Sequence, residues 1–229
     1  LPALNADPDL FYAEPNYYAD ATPGGSQRYF GGHGSFPASG QRYFGGHGDS
    51  ASGGASQEQW AWKKIGLSSA QSVSTGQGVI VAIIDSGIDL DHPALAGALL
   101  PGYDFVGMDD DPYDRGDGLD NDGNGLIDEG TGHGTHVAGI VHTLAPGAMI
   151  MPVRALNSDG IGTYWEVAAG IRYAVDHGAQ VINLSMSAAR LTPSLSDALN
   201  YAIGRGVVVV AAAGEGEGPN YPAAFGGPS

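Results

Sequence analysis

Cysteine is absent from the 229 residues, which excludes disulfides, thiolate metal sites and a cysteine nucleophile. Basic residues are scarce: 9 Lys and Arg stand against 25 Asp and Glu, for a formal net charge of -16. Nucleic acids and anionic membrane surfaces require clustered positive charge, so neither is an expected partner. No apolar run reaches the roughly 18 residues that a membrane-spanning helix needs. A basic-then-apolar leader is missing too, and the chain opens on Leu1, so the expectation is a processed N-terminus or a partial chain.

What is present points to one folded unit with an appendage. The length suits a single domain at about 150 residues per domain. A hydrophobic share of 42% is enough to bury a core. Glycine is over-represented at 38 residues, and eleven of these fall between residues 24 and 54. There Gln27-Arg28-Tyr29-Phe30-Gly31-Gly32-His33-Gly34 recurs unchanged as Gln41 to Gly48. Two short copies cannot build a solenoid, so residues 21–57 read as a Gly-rich linker with aromatic points. Metal binding by His33 and His47, or self-association through Tyr29, Phe30, Tyr43 and Phe44, is the alternative use.

From residue 58 onward the pattern alternates between strands and helices. Val79 to Ile84 is a continuously apolar run rich in β-branched residues, as a strand buried on both faces requires. Met149 to Val153, Gln180 to Leu184 and Val207 to Ala212 repeat that pattern. Helices are predicted over Thr135 to Leu144, Tyr164 to His177 and Ser194 to Arg205. Ser194 and Asp197 suggest a start signal for the last, with Gly178 and Gly206 as stops. The fold class is α/β, a mostly parallel sheet with helices on both faces. Ligands of such sheets gather at the carboxyl ends of the strands.

Polar residues fall at those ends. Asp85 follows the first strand, and His133 opens a helix within Gly132-His133-Gly134-Thr135-His136. The positive end of the helix dipole is expected to favour the neutral imidazole that a general base needs. A carboxylate orienting an imidazole makes two members of a nucleophilic triad.

Four segments in order carry a resemblance: Val81 to Ile88, His133 to Gly139, Val181 to Ser185, and Val207 to Gly214. Together they resemble the subtilisin-like serine proteases (subtilases, peptidase family S8) from about Trp60 onward. The resemblance implies that Asp85 orients His133, the general base toward a serine. It implies that Gly160, Gly162 and the strand Ser185-Met186-Ser187 bind an extended polypeptide substrate by strand addition. It also implies a secreted enzyme. Residues 1–20, with Asp9 to Tyr18, resemble the end of a propeptide, an inhibitor and folding partner that can lie in the groove as a product-like strand.

Two departures stand out. The family's Gly-Thr-Ser-x-Ala context for the nucleophile does not occur in these 229 residues. The expectation is therefore a catalytic domain cut short at its C-terminus, inactive by itself and prone to aggregate. At the oxyanion position the family has an asparagine, where this chain has Glu215; Asn220, ahead of Tyr221-Pro222, looks a poor replacement. A peptide-binding pseudoprotease, or a calcium-dependent structural or adhesive protein, are the rival readings.

The acidic excess has its own focus. Ten acidic residues and only Arg115 lie between Asp104 and Glu129. Asp120, Asp122, Asn124 and Asp128 offer oxygens at relative positions 1, 3, 5 and 9, with Gly125 at position 6, a spacing that can wrap calcium. Thr131 at the twelfth position departs from an EF-hand.

Overall fold

The computed structural model describes residues 18–20, 60–214 and 219–226. The repeats between residues 27 and 48, most of the expected propeptide segment, and Glu215 lie outside the described residues.

Five parallel strands form the main sheet, in the order β3 (Tyr103–Asp104), β4 (Met149–Arg154), β2 (Ile80–Asp85), β6 (Val181–Leu184), β7 (Val208–Ala211). Four of them, β2, β4, β6 and β7, follow from the apolar runs, and β2 and β4 show the burial of a strand covered on both faces. In β2 the side chains of Ala82 and Ile84 join one core, while Val81 and Ile83 join the other. Such alternation is the pleat period of two, here apolar on both sides. Complete burial of Ile83 and Ile84 stabilises the fold by roughly 1.5–3 kcal/mol each.

Helices cover both faces. On one side α4 (Tyr164–Asp176) and α5 (Pro193–Gly204) bury Val167, Ile171, Leu195 and Leu199 against Ile84, Val153 and Ile182. Gly170 lets α4 approach closely, since a Cβ there would meet Val153 Cγ1 at 3.1 Å. On the other side α3 (His133–Leu144) sets Val137 and Ala138 on Val81, Ile83 and Ile150. Two short helices, α1 (Trp60–Lys64) and α2 (Leu67–Val73), precede the sheet. Gly178 and Gly206 lie just past the ends of α4 and α5 with φ of 86° and 77°, the left-handed geometry of helix stops.

Some expectations are corrected. The start signal of α5 is Thr192, whose hydroxyl accepts from Leu195 N with Pro193 next to it; Ser194 and Asp197 lie inside the helix. Helix α3 opens at His133, two residues before Thr135. A capping box, Thr163 with Glu166, starts α4. A second, two-stranded sheet pairs β1 (Tyr18–Asp20) with β5 (Ile161–Thr163) in antiparallel register, Ala19 opposite Gly162.

Strand β7 pairs with β6 alone among the described residues, and Val208 and Val210 are 57% and 50% exposed. An open β-branched edge is a template for pairing with another chain. This chain is therefore expected to self-associate in sedimentation velocity. Val210→Lys should reduce that association while changing stability by no more than roughly 0.5 kcal/mol. Association undiminished by the charge would show that the edge is not responsible.

Candidate active site

Strand β2 ends on Asp85, which is completely buried. The chain then turns through Ser86 and Gly87, and Gly87 has a φ of 105°. A side chain there would collide with Pro112 O, 2.8 Å from where its Cβ would lie. Glycine is needed again at the start of α3. A Cβ on Gly134 would sit 2.1 Å from Gly87 O and 3.0 Å from Asp85 Cβ, so only a bare backbone lets the first turn of the helix rest on the end of the strand.

That close approach brings the two predicted residues together. His133 Nδ1 stands 2.6 Å from Asp85 Oδ1, and the same oxygen accepts Ser86 N at 2.7 Å. With Nδ1 donating to the carboxylate, the neutral ring keeps its lone pair on Nε2, the tautomer that a general base requires. Asp85 Oδ2 is buried and has no hydrogen-bond partner among the described residues.

The charge balance differs from the dipole expectation. Desolvation pulls the His133 pKa down, but the Asp85 charge, its hydrogen bond and the Asp114 charge together outweigh it and hold the imidazole above its ordinary value. The neighbouring carboxylates decide the direction.

Gly160 and Gly162 border the two-stranded sheet. Gly160, with φ 79°, closes a turn in which Asn157 Oδ1 accepts from Asp159 N and Ile161 N. Gly162 lies in β5, where a Cβ would come 2.0 Å from Ala155 O. Strand β1 runs along β5. Ser185, Met186 and Ser187 continue beyond the end of β6. Ser185 Oγ donates to Asn183 Oδ1, and Met186 is buried in the larger core. Beyond β7, Gly214 has φ 75° and lies against Asn220, whose Cγ would be 2.6 Å from a Cβ on that glycine. The chain thus returns an amide side chain to the residue preceding Glu215, a placement that sequence order did not suggest.

The acidic segment is drawn together differently from its spacing. Ligand oxygens of Asp120, Asp122 and Asp159 lie within 4.8 Å of one another. Asp120 accepts from the N–H groups of Gly125, Gly123 and Asn124, which hold its carboxyl below the usual range. Asp128 is outside this cluster and instead accepts from Asp117 N and Gly118 N. Asn124 lies beside the cluster, its Nδ2 donating to Asp122 Oδ2 at 2.6 Å and its Oδ1 accepting from Leu126 N. The cluster shares two residues with the expected set. Asp159, buried and far along the chain, has no local signal in the sequence.

Comparison with known proteins identifies the family. The subtilase family profile (peptidase S8) matches residues 76–228. Thermitase from Thermoactinomyces vulgaris is 40% identical over 182 residues, covering 74% of this chain and 60% of the relative. A thermophilic serine proteinase from Bacillus sp. (strain AK1) is 37% identical, with 93% of this chain and 46% of the relative aligned. Among solved structures, a cold-adapted subtilisin-like serine proteinase superposes with a TM-score of 0.54 at 29% identity, covering 66% of this chain and 52% of its own. The chain spans about half the length of the relatives it matches. With the profile covering well over half of its residues, the chain belongs to the subtilase family of serine proteases.

Proposed function

We propose that this chain forms the Asp- and His-bearing part of a secreted subtilisin-type serine endopeptidase. The observation that carries the reading is the 2.6 Å contact between Asp85 and His133 at the carboxyl ends of a parallel sheet. In the reaction His133 Nε2 takes the hydroxyl proton of a serine as its oxygen attacks the scissile carbonyl. The tetrahedral intermediate collapses to an acyl-enzyme, and the same proton passes to the departing amine. Water then attacks the acyl carbon, giving its proton to His133, and the serine oxygen leaves with that proton. Asp85 holds the imidazole orientation and stabilises the imidazolium. The serine belongs, in this proposal, to the length that the relatives have and this chain does not match.

Polypeptide substrates would add as a strand between β5, with Gly160 and Gly162, and Ser185-Met186-Ser187. Support comes from β1, which already lies antiparallel on β5. Residues 1–20 are accordingly proposed as a propeptide remnant held in the groove as inhibitor and folding partner, residues 21–57 as linker, and residues 58–229 as the catalytic portion. No helix among the described residues is long and apolar enough to cross a membrane.

Glu215 favours one second reading, a pseudoprotease that binds peptides without turnover. A carboxylate at the oxyanion position would oppose the developing charge, where the asparagine amide of subtilisin is worth about 10²- to 10³-fold in kcat. The test is the full gene product with a peptide substrate and a serine-directed phosphonate. Hydrolysis and phosphonate labelling, both lost in His133→Ala, are expected. Peptide binding with neither would contradict the protease and support the pseudoprotease.

Calcium is proposed at Asp120, Asp122 and Asp159. The donors are all hard carboxylate oxygens, and the buried Asp159 gives the cluster a fixed base. Bound calcium would screen the mutual repulsion of this loop and tie it to the turn beside β5. Titration calorimetry after chelation should show uptake, lost in Asp122→Asn. Calcium at 100 times its dissociation constant should add about 2.7 kcal/mol of stability. No heat, and no rise in Tm, would remove the metal from the account.

A further inference from the structure

The first turn of α3 carries His133, yet its N-cap is Gly132, which has no side chain to cap with. Four N–H groups at a helix start need partners from elsewhere. Here their acceptors are known. Gly132 N donates to Asp114, and His133 N to Gly130 O. Gly134 N donates to Ser86 Oγ at 3.1 Å, and Thr135 N to Asp114 Oδ2 at 3.3 Å.

Asp114 does more than satisfy one donor. Its two oxygens both lie 3.0 Å from Gly132 N, Thr135 Oγ1 donates to Oδ2 at 2.6 Å, and Ser86 Oγ donates to Oδ1 at 3.3 Å. Its own N–H donates to Ile88 O, while Ile88 N donates to Pro112 O, so the carboxylate is anchored to the segment that follows Asp85. Thr135 Oγ1 in turn accepts Asp89 N at 2.9 Å. The result is a closed ring of hydrogen bonds running from the end of β2, through Asp114, to the start of α3.

We propose that Asp114 is a positioning residue of the active site, a cap supplied from another part of the chain that fixes the first turn of α3 and thereby sets His133 against Asp85. The inference rests on the reading of Asp85 and His133 as the catalytic pair. It gives a buried carboxylate a role beyond the general acidity of its loop, and it explains why Ser86 and Thr135 stand where they do. The charged and titratable groups facing this ring are Asp85, His133 and Asp89, the last linked through Thr135 and accepting from Tyr113 Oη. Arg115 points away, to Asp111.

Electrostatics adds a readout. Burial pushes the Asp114 carboxyl up to about 6, against the pull of the Gly132 and Thr135 donors. Near neutral pH it therefore supplies a second negative charge, which raises the proton affinity of His133 along with Asp85. Removing that charge should release the imidazole proton more readily.

The experiment compares Asp114→Asn, Thr135→Val and Thr192→Ala, the last weakening only the cap of α5. The His133 titration is followed by NMR in this chain, and kcat and KM are measured in the full gene product. Asp114→Asn should move the His133 titration to lower pH and cut kcat by about tenfold or more with KM nearly unchanged. Thr135→Val should act in the same sense and less. Thr192→Ala should lower Tm and leave the titration in place. Unchanged His133 titration and kcat in folded Asp114→Asn would overturn the proposal, and if that variant does not fold, an unchanged Thr135→Val does so. An inactive parent enzyme would strike the protease reading, while the titration still judges Asp114.

Discussion

A buried carboxylate cannot rely on water, and Asp85 at the end of β2 sets the terms for everything around it. Its charge must be met by donors at fixed positions, because breaking a buried pair by removing one partner costs about 3–5 kcal/mol. Ser86 N and His133 Nδ1 meet it on one oxygen. For the imidazole to arrive there, α3 has to rest on the strand end with nothing between, which makes Gly134 a glycine by necessity, while Gly87 is required by the approach of Pro112 and Asp114. The helix start is then left without a cap of its own, and Asp114 and Ser86 satisfy it from outside. Fold, local backbone geometry and site chemistry are consequences of one close contact.

The two cores serve that contact from opposite sides. Helices α4 and α5 brace the sheet through Ile84, Val153 and Ile182, so the end of β2 has little room to shift. On the other face α3 is set by Val137 and Ala138 against Val81 and Ile83, on the strand that ends at Asp85. Rigid elements of this kind position a side chain more closely than a loop does. The edge strand β5 and its turn at Gly160 then lie beside the site, where an extended chain can pair.

Much of this was legible because it rests on local patterns. The apolar runs that become β2, β4, β6 and β7 are enough to signal strands, although β7 lies half exposed at the edge of the sheet. Asp85 and His133 could be singled out because both sit at element boundaries flanked by glycine. What could not be read depends on contacts between distant segments. Strands β1, β3 and β5 are two or three residues long and hold too few side chains for a period to emerge. Asp114 is one acid among ten in its stretch, and only the approach of α3 distinguishes it. Asp159 joins Asp120 and Asp122 through the turn before β5, a partner that spacing within the acidic loop has no means to name. The local dipole argument also favoured a neutral His133, because the weight of two neighbouring carboxylates depends on the folded arrangement.

The contact between residues 85 and 133 is open to direct observation by heteronuclear NMR at low temperature. A proton on His133 Nδ1 held by the buried carboxylate should give a resonance well downfield of the backbone amides, and Asp85→Asn should abolish it while the folded spectrum persists. A His133 ring without such a proton, or one whose resonance is indifferent to Asp85→Asn, would contradict the account at its foundation.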